Sequence, residues 1–268
     1  MTATTATTAT TAVQFAVEDA GGHAIVVRRF GNGPEVVWIH GLGEWSVSFD
    51  AILAHPGFAG STHVLPDLPG YGRSPWPDAP EGLERLADRL AGWIGDRRPA
   101  LVGHSMGGVL AQLVAERAPV RAVVNVEGNL SRGDCVFSAR VAGYTAAGFA
   151  AHGLAQLRAD TYERGRGELE LRGYHAAMCA ASPAVFHHHA VDLVALSEPE
   201  TLAPRLAALT VPVLYVAGVP DGICDHSRNL LDRLQIRWIG LGPARHWVYC
   251  DQPDAFATAV AEFLRTAT

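Results

Sequence analysis

Hydrophobic and polar positions follow two different periods along the chain. Short, nearly unbroken apolar runs recur at 36–40, 63–67, 99–103, 120–127, 211–217 and 236–241. Runs of this length with few polar interruptions are expected of strands buried on both faces of a parallel sheet. Between them, at 83–94, 226–234 and 253–264, apolar residues are spaced three and four apart, as on one face of a helix. Val109, Leu110, Leu113 and Val114 repeat that spacing just after the 99–103 run. A helix is also expected to open at 48–53. Strands alternating with helices predict an α/β fold with a mainly parallel central sheet. Two strands at 13–17 and 24–30, with a turn at 19–22, precede the alternation.

The pattern changes between Gly128 and Leu209. No strong strand signal appears there, and four Ala-rich stretches (138–151, 154–163, 169–180 and 184–196) have helical character. Roughly 80 residues are too many for one connection in a compact sheet. The segment 128–209 is therefore expected to be a helical cap inserted into a core domain made of 13–127 and 210–268. Residues 1–12 are almost entirely Thr and Ala. They have neither a basic start nor an apolar stretch, so they predict a disordered tail rather than a signal peptide.

Composition narrows the function classes. Hydrophobic residues make up 49 % of 268, enough for a sizeable core. The net charge of −6 argues against nucleic acid and against an anionic membrane surface as partners. No apolar run is long enough for a membrane span. Every cationic side chain is Arg, with no Lys, which suits a GC-rich genome and carries no chemistry. Cys135, Cys179, Cys224 and Cys250 are scattered without a C-x-x-C, as expected of reduced thiols in a cytoplasmic protein. The sequence leaves the oligomeric state open.

The candidate chemistry begins at Gly103-His-Ser105-Met-Gly107, a G-x-S-x-G between a predicted strand and a predicted helix. That context is the one a nucleophile elbow requires. The helix behind Ser105 would offer the N–H of Met106 to a developing oxyanion. Glycines also follow the 36–40 strand, in His40-Gly41-Leu42-Gly43, where the N–H of Leu42 is a candidate second donor. Glu127, Asp221 and His246 likewise fall at or just past strand carboxyl ends, the edge where open α/β sheets bind ligands. A serine hydroxyl is a weak nucleophile at neutral pH and needs a base beside it.

Taken together, His40-Gly-Leu-Gly43, Asp67-Leu-Pro-Gly-Tyr-Gly-Arg-Ser74, Gly103-His-Ser-Met-Gly-Gly108, Gly218-x-x-Asp221 and His246-Trp-Val resemble the α/β-hydrolase superfamily, in its motif order, from about residue 24 onward. The resemblance implies Ser105 as nucleophile, His246 as base, an acid after a late strand, and the N–H groups of Leu42 and Met106 as oxyanion hole. Asp221 occupies the superfamily's commonest acid position. Glu127 stands where haloalkane dehalogenases place theirs, and Asp225 is a third candidate. Haloalkane dehalogenases and epoxide hydrolases of this fold use an Asp nucleophile, so Ser105 argues against both chemistries. One departure is Arg245 before the histidine, where many members have Gly; it would crowd the loop or reach the cap.

Gly41, Glu44, Trp45 and Trp247 are candidates to line the pocket. Phe137, Tyr144, Phe149 and Tyr174 of the cap read as core more readily than as substrate contacts. His40 is expected to bond backbone, and His104 to face away from substrate. His187, His188 and His189 are consecutive and cannot all face one point on a helix, so no metal is expected. With no G-x-G-x-x-G and no phosphate loop, no cofactor is implied. The expected activity is hydrolysis of a small, apolar carboxylic ester or related acyl compound through an acyl-enzyme. Acyl transfer, elimination or carbon–carbon cleavage on the same fold are the alternatives. A non-catalytic binding protein on a retained fold is the rival from another class.

Overall fold

The computed structural model describes residues 12–267. The tail expected at 1–12 lies outside the described residues, apart from its last position. Strands β1 (Gln14–Ala20) and β2 (His23–Gly31) pair antiparallel. Their turn is Gly21-Gly22 alone, with φ of 61° and 95°. Two glycines at positive φ make the two-residue turn whose twist suits a hairpin, so both strands run longer than the sequence pattern suggests.

The chain continues through β3 (Glu35–Ile39), α1 (Asp50–Leu53), β4 (Thr62–Asp67), α2 (Leu83–Ile94), β5 (Ala100–His104), α3 (Met106–Ala115) and β6 (Ala122–Val126). Helices α4 (Val136–Ala142), α5 (Ala146–Gly148), α6 (Leu154–Arg164), α7 (Leu169–Met178), α8 (Pro183–Ser197) and α9 (Leu202–Ala207) then follow. The chain returns to the sheet with β7 (Val213–Pro220), α10 (Asp225–Arg233), β8 (Trp238–Ala244), α11 (Val248–Asp251) and α12 (Pro253–Thr266). The sheet has the order β1-β2-β4-β3-β5-β6-β7-β8. The β1–β2 and β2–β4 pairs are antiparallel and the rest parallel.

Side chains of the central strands alternate between two cores, as the period of two requires. Val37, Ile39, Leu101 and Val123 pack with α2 and α3, whereas Val36, Trp38, Val102 and Val124 pack with α12. Both faces are covered, which is why these strands read as continuous apolar runs. Helix α2 buries Leu83, Leu86, Ala87, Leu90, Ala91 and Ile94, a stripe at spacings of three and four, and stops at Gly95 with φ 55°.

The helix expected over 138–151 is interrupted. Thr145 accepts a hydrogen bond from Gly148 N at 3.0 Å and so starts a new helix. A π-helical turn, Phe149–Gly153, then leads into α6. Helices α9 and α11 are 6 and 4 residues long, too short to show a period in the sequence. The helices between β6 and β7 pack on the loops at the strand carboxyl ends. Ser182 N donates to Gly70 O at 2.8 Å, Tyr71 Oη and His189 Nδ1 lie 2.9 Å apart, and Tyr174 Oη donates to Leu42 O at 3.0 Å. Among the described residues no helix is long and apolar enough to cross a membrane.

Candidate active site

Strand β5 ends at His104 and α3 begins at Met106, so Ser105 makes the turn between them. Its φ of 55° and ψ of −122° lie where residues with side chains rarely sit. The turn is tight on both sides. A Cβ on Gly103 would meet the Gly107 carbonyl oxygen at 2.0 Å, and one on Gly107 would meet that of Ile39 at 2.1 Å. Ser105 N donates to Val126 O at 2.8 Å, which ties the turn to β6. The serine is half-buried and borders a cavity of about 800 Å³. Met106 is the first residue of α3, so its N–H has no acceptor within the helix. The loop after β3 lies alongside, and a Cβ on Gly41 would be 3.1 Å from Ser105 Cβ.

His246 follows β8 and borders the same cavity. Its Nδ1 lies 3.3 Å from Glu127 Oε2. Glu127 is buried at the end of β6, with φ at 55°. A carboxylate removed from water needs donors, and its Oε1 accepts from Gly218 N at 2.7 Å. The acid beside His246 is thus Glu127 and not Asp221, the first choice from sequence. Asp221 is exposed in the turn after β7, although it borders the cavity. A Cβ on Gly222 would sit 2.3 Å from Glu127 Oε1. The Gly218-x-x-Asp221 turn therefore folds around the Glu127 carboxylate instead of presenting its own. Asp225 is exposed and pairs with Arg228 on α10. Among the described residues no hydrogen bond joins Ser105 Oγ to His246; such contacts often tighten only around substrate.

Of the predicted pocket residues, Glu44 and Trp247 border the cavity, as does Leu42, the candidate oxyanion donor. Gly41 and Trp45 do not. Gly41 is packed against Ser105 and the Glu44 carboxylate, and the Arg73 guanidinium lies 5.3 Å from the Trp45 ring centroid. His40 accepts from Leu68 N at 3.0 Å through Nε2, so its Nδ1 carries the proton and donates to Gly41 O at 2.9 Å. His187 Nε2 donates to Tyr144 O at 2.8 Å while His189 turns to Tyr71. Among the described residues no cluster of His, Cys, Asp or Glu is placed to hold a metal ion. The Arg245 side chain reaches Glu168 and Glu170 at the start of α7.

Phe137, Leu157, Leu171, Tyr174 and Leu193 give the cavity an apolar wall. All five come from the helices between β6 and β7. In the sequence Phe137 and Tyr174 read as core more readily than as substrate contacts and the three leucines do not stand out, because an apolar helical position reads the same whether it faces core or cavity. Phe149 is fully buried, as expected.

A second arrangement carried no sequence signal. Glu44 is 2 % exposed and His104 is 1 % exposed. Glu44 Oε2 accepts from Gly41 N at 2.7 Å and from His104 Nδ1 at 3.0 Å. Its Oε1 accepts from Trp247 Nε1 at 2.6 Å and from Tyr249 Oη at 3.4 Å. His104 Nε2 donates to His246 O at 2.9 Å. Burial pushes the Glu44 carboxyl up, but the His104 charge and the converging donors outweigh it and bring it down to about 2. Burial likewise opposes the charge on His104, and Glu44 together with the His246 carbonyl raises it above 6.5.

Comparison with known proteins places the chain in a family. The model of the Alpha/beta hydrolase family matches residues 36–259. A pimeloyl-[acyl-carrier protein] methyl ester esterase of Aeromonas hydrophila is 36 % identical over 100 residues, 37 % of this chain and 38 % of the esterase. A polyketide synthase of Burkholderia thailandensis, ThaQ, is 29 % identical over 262 residues, 92 % of this chain and 12 % of the synthase. The chain thus spans well under two thirds of the length of either relative. The crystal structure of a hydrolase from Pseudomonas aeruginosa superposes with a TM-score of 0.76 at 22 % identity, covering 94 % of this chain and 98 % of the other.

Proposed function

The chain belongs to the alpha/beta hydrolase family, and from that premise we propose that it is a cofactor-independent serine hydrolase cleaving a carboxylic ester. Ser105 is the nucleophile, His246 the base and Glu127 the acid. The observation that carries this reading is the contact of Glu127 Oε2 with His246 Nδ1 at the wall of the cavity that Ser105 borders. Glu127 holds the Nδ1–H tautomer, which leaves Nε2 free to take a proton. Ser105 Oγ attacks the ester carbonyl carbon as its proton passes to His246 Nε2. The N–H groups of Leu42 and Met106 receive the oxyanion. The intermediate collapses, and the alcohol leaves with the proton from His246. Water repeats the sequence on the acyl-enzyme and releases the acid.

The helices between β6 and β7 act as a cap in this reading. Phe137, Leu157, Leu171 and Leu193 favour a small molecule with an apolar acyl or alcohol group. The methyl ester esterase among the relatives supports an ester over other acyl compounds. The test is labelling with a fluorophosphonate probe followed by peptide mapping. Wild-type protein should carry one adduct, on Ser105, and Ser105→Ala should lose both the adduct and at least about 10³-fold of esterase kcat. An adduct on another serine, or full activity in Ser105→Ala, would overturn the assignment.

A further inference from the structure

The proton path proposed above does not use Glu44 or His104, yet the pair sits between its parts. His104 precedes Ser105 and donates to the backbone of His246. Glu44 holds Gly41, the neighbour of Leu42, and Trp247, the neighbour of His246. Both nitrogens of His104 face acceptors, an arrangement that only the imidazolium fully satisfies. One buried ion pair therefore ties together the ends of three strands, β3, β5 and β8.

We propose that Glu44, through its pairing with His104, is a positioning residue that fixes the 41–42 loop and the 246–247 loop relative to Ser105. The inference rests on the function proposed above. Stability alone is a poor account of the arrangement. Apolar side chains of similar volume stabilise a core as well as a buried ion pair or better. Four donors on one carboxylate instead specify where each donor lies, and a displacement of about 1 Å at a reacting group costs on the order of 10² in rate.

The test uses the rate of fluorophosphonate labelling at Ser105, which needs the nucleophile, the base and the oxyanion donors but no known substrate. Wild type, Glu44→Gln, Trp247→Phe and the double variant are compared at increasing probe concentration. Glu44→Gln should lower the limiting rate about 10- to 100-fold and change the half-saturating concentration less than about threefold. Trp247→Phe removes one donor and should lower the rate a few-fold, and adding it to Glu44→Gln should cost little more, since both act through one contact. An unchanged limiting rate in folded Glu44→Gln overturns the inference, whatever its melting temperature. Where Glu44→Gln does not fold, an unchanged rate in Trp247→Phe overturns it equally. Failure of wild type to label at Ser105 overturns the proposed function instead, and the two failures are thereby distinguished.

Discussion

The assignment of the acid is open to a direct test by paired amide substitutions, Glu127→Gln and Asp221→Asn. Glutamine has the shape of glutamate, so Glu127→Gln can keep the bond from Gly218 N to the side-chain oxygen, 2.7 Å long in the wild type. The amide NH₂ then faces His246 Nδ1 in place of Oε2. An N–H donor there makes Nδ1 the acceptor and moves the proton to Nε2, the nitrogen that must take the serine proton. The fold should survive while kcat falls on the order of 10³- to 10⁴-fold, the scale set by a wrong tautomer in a serine triad. Asp221 is exposed and makes no comparable contact, so Asp221→Asn should stay within about threefold of wild type. Both variants are assayed on a soluble p-nitrophenyl ester, with folding checked by circular dichroism. A larger loss in Asp221→Asn than in Glu127→Gln would refute the reasoning.

The ion pair of Glu44 and His104 should shape stability against pH. Glu44 contributes above its ordinary value of 4.5 and loses that contribution as pH falls towards about 2, a difference of about 3 kcal/mol at most, shared with His104. His104 contributes fully below 6.5 and loses its share as pH rises through its raised value. Melting temperature from pH 3 to 9 should therefore fall at both ends, and a profile of the same shape in Glu44→Gln would count against the pair. Leu90, 1 % exposed on α2, should cost about 2–5 kcal/mol as Leu90→Ala, seen in a urea titration as a lower midpoint; a loss below about 1 kcal/mol would mean the stripe is not packed as described.

Much of the architecture was legible because burial on both faces leaves a plain mark. The runs at 36–40 and 99–103 become β3 and β5, and the α2 stripe is the one its spacing predicts. Ser105 was legible for a different reason, since the G-x-S-x-G pattern is local in sequence: Gly103 is forced by the Gly107 carbonyl within the turn, and Gly107 by the close passage of β3. The acid was not. Glu127 and Asp221 both follow strands, and the deciding contact joins residues far apart in sequence. The Glu44–His104 pair was hidden for the same reason. His104 reads as a spacer between Gly103 and Ser105, and nothing local says that a carboxylate from the β3 loop meets it. Trp45 was expected in the pocket from its place just past the 40–43 loop and Gly41 as part of that loop, yet Gly41 packs against Glu44 and Ser105 and Trp45 lies under Arg73, so neither borders the cavity.

The position of the proposed acid follows from the order of the strands. Ser105, Glu127 and His246 leave β5, β6 and β8, so a carboxylate from β6 must pass the end of β7 to reach the histidine loop. Neighbouring strands are about 4.8 Å apart, and that crossing favours glutamate, one methylene longer than aspartate. Glycine at the end of β7 keeps the crossing short. A Cβ on Gly218 would lie 2.2 Å from the Arg245 carbonyl oxygen, so the loop carrying His246 can settle against β7 only because no side chain is there. The same residue's N–H then binds Glu127 Oε1 midway. The glycine that, in sequence, announced an acid at Asp221 thus serves in the structure to let the Glu127 carboxylate through to His246.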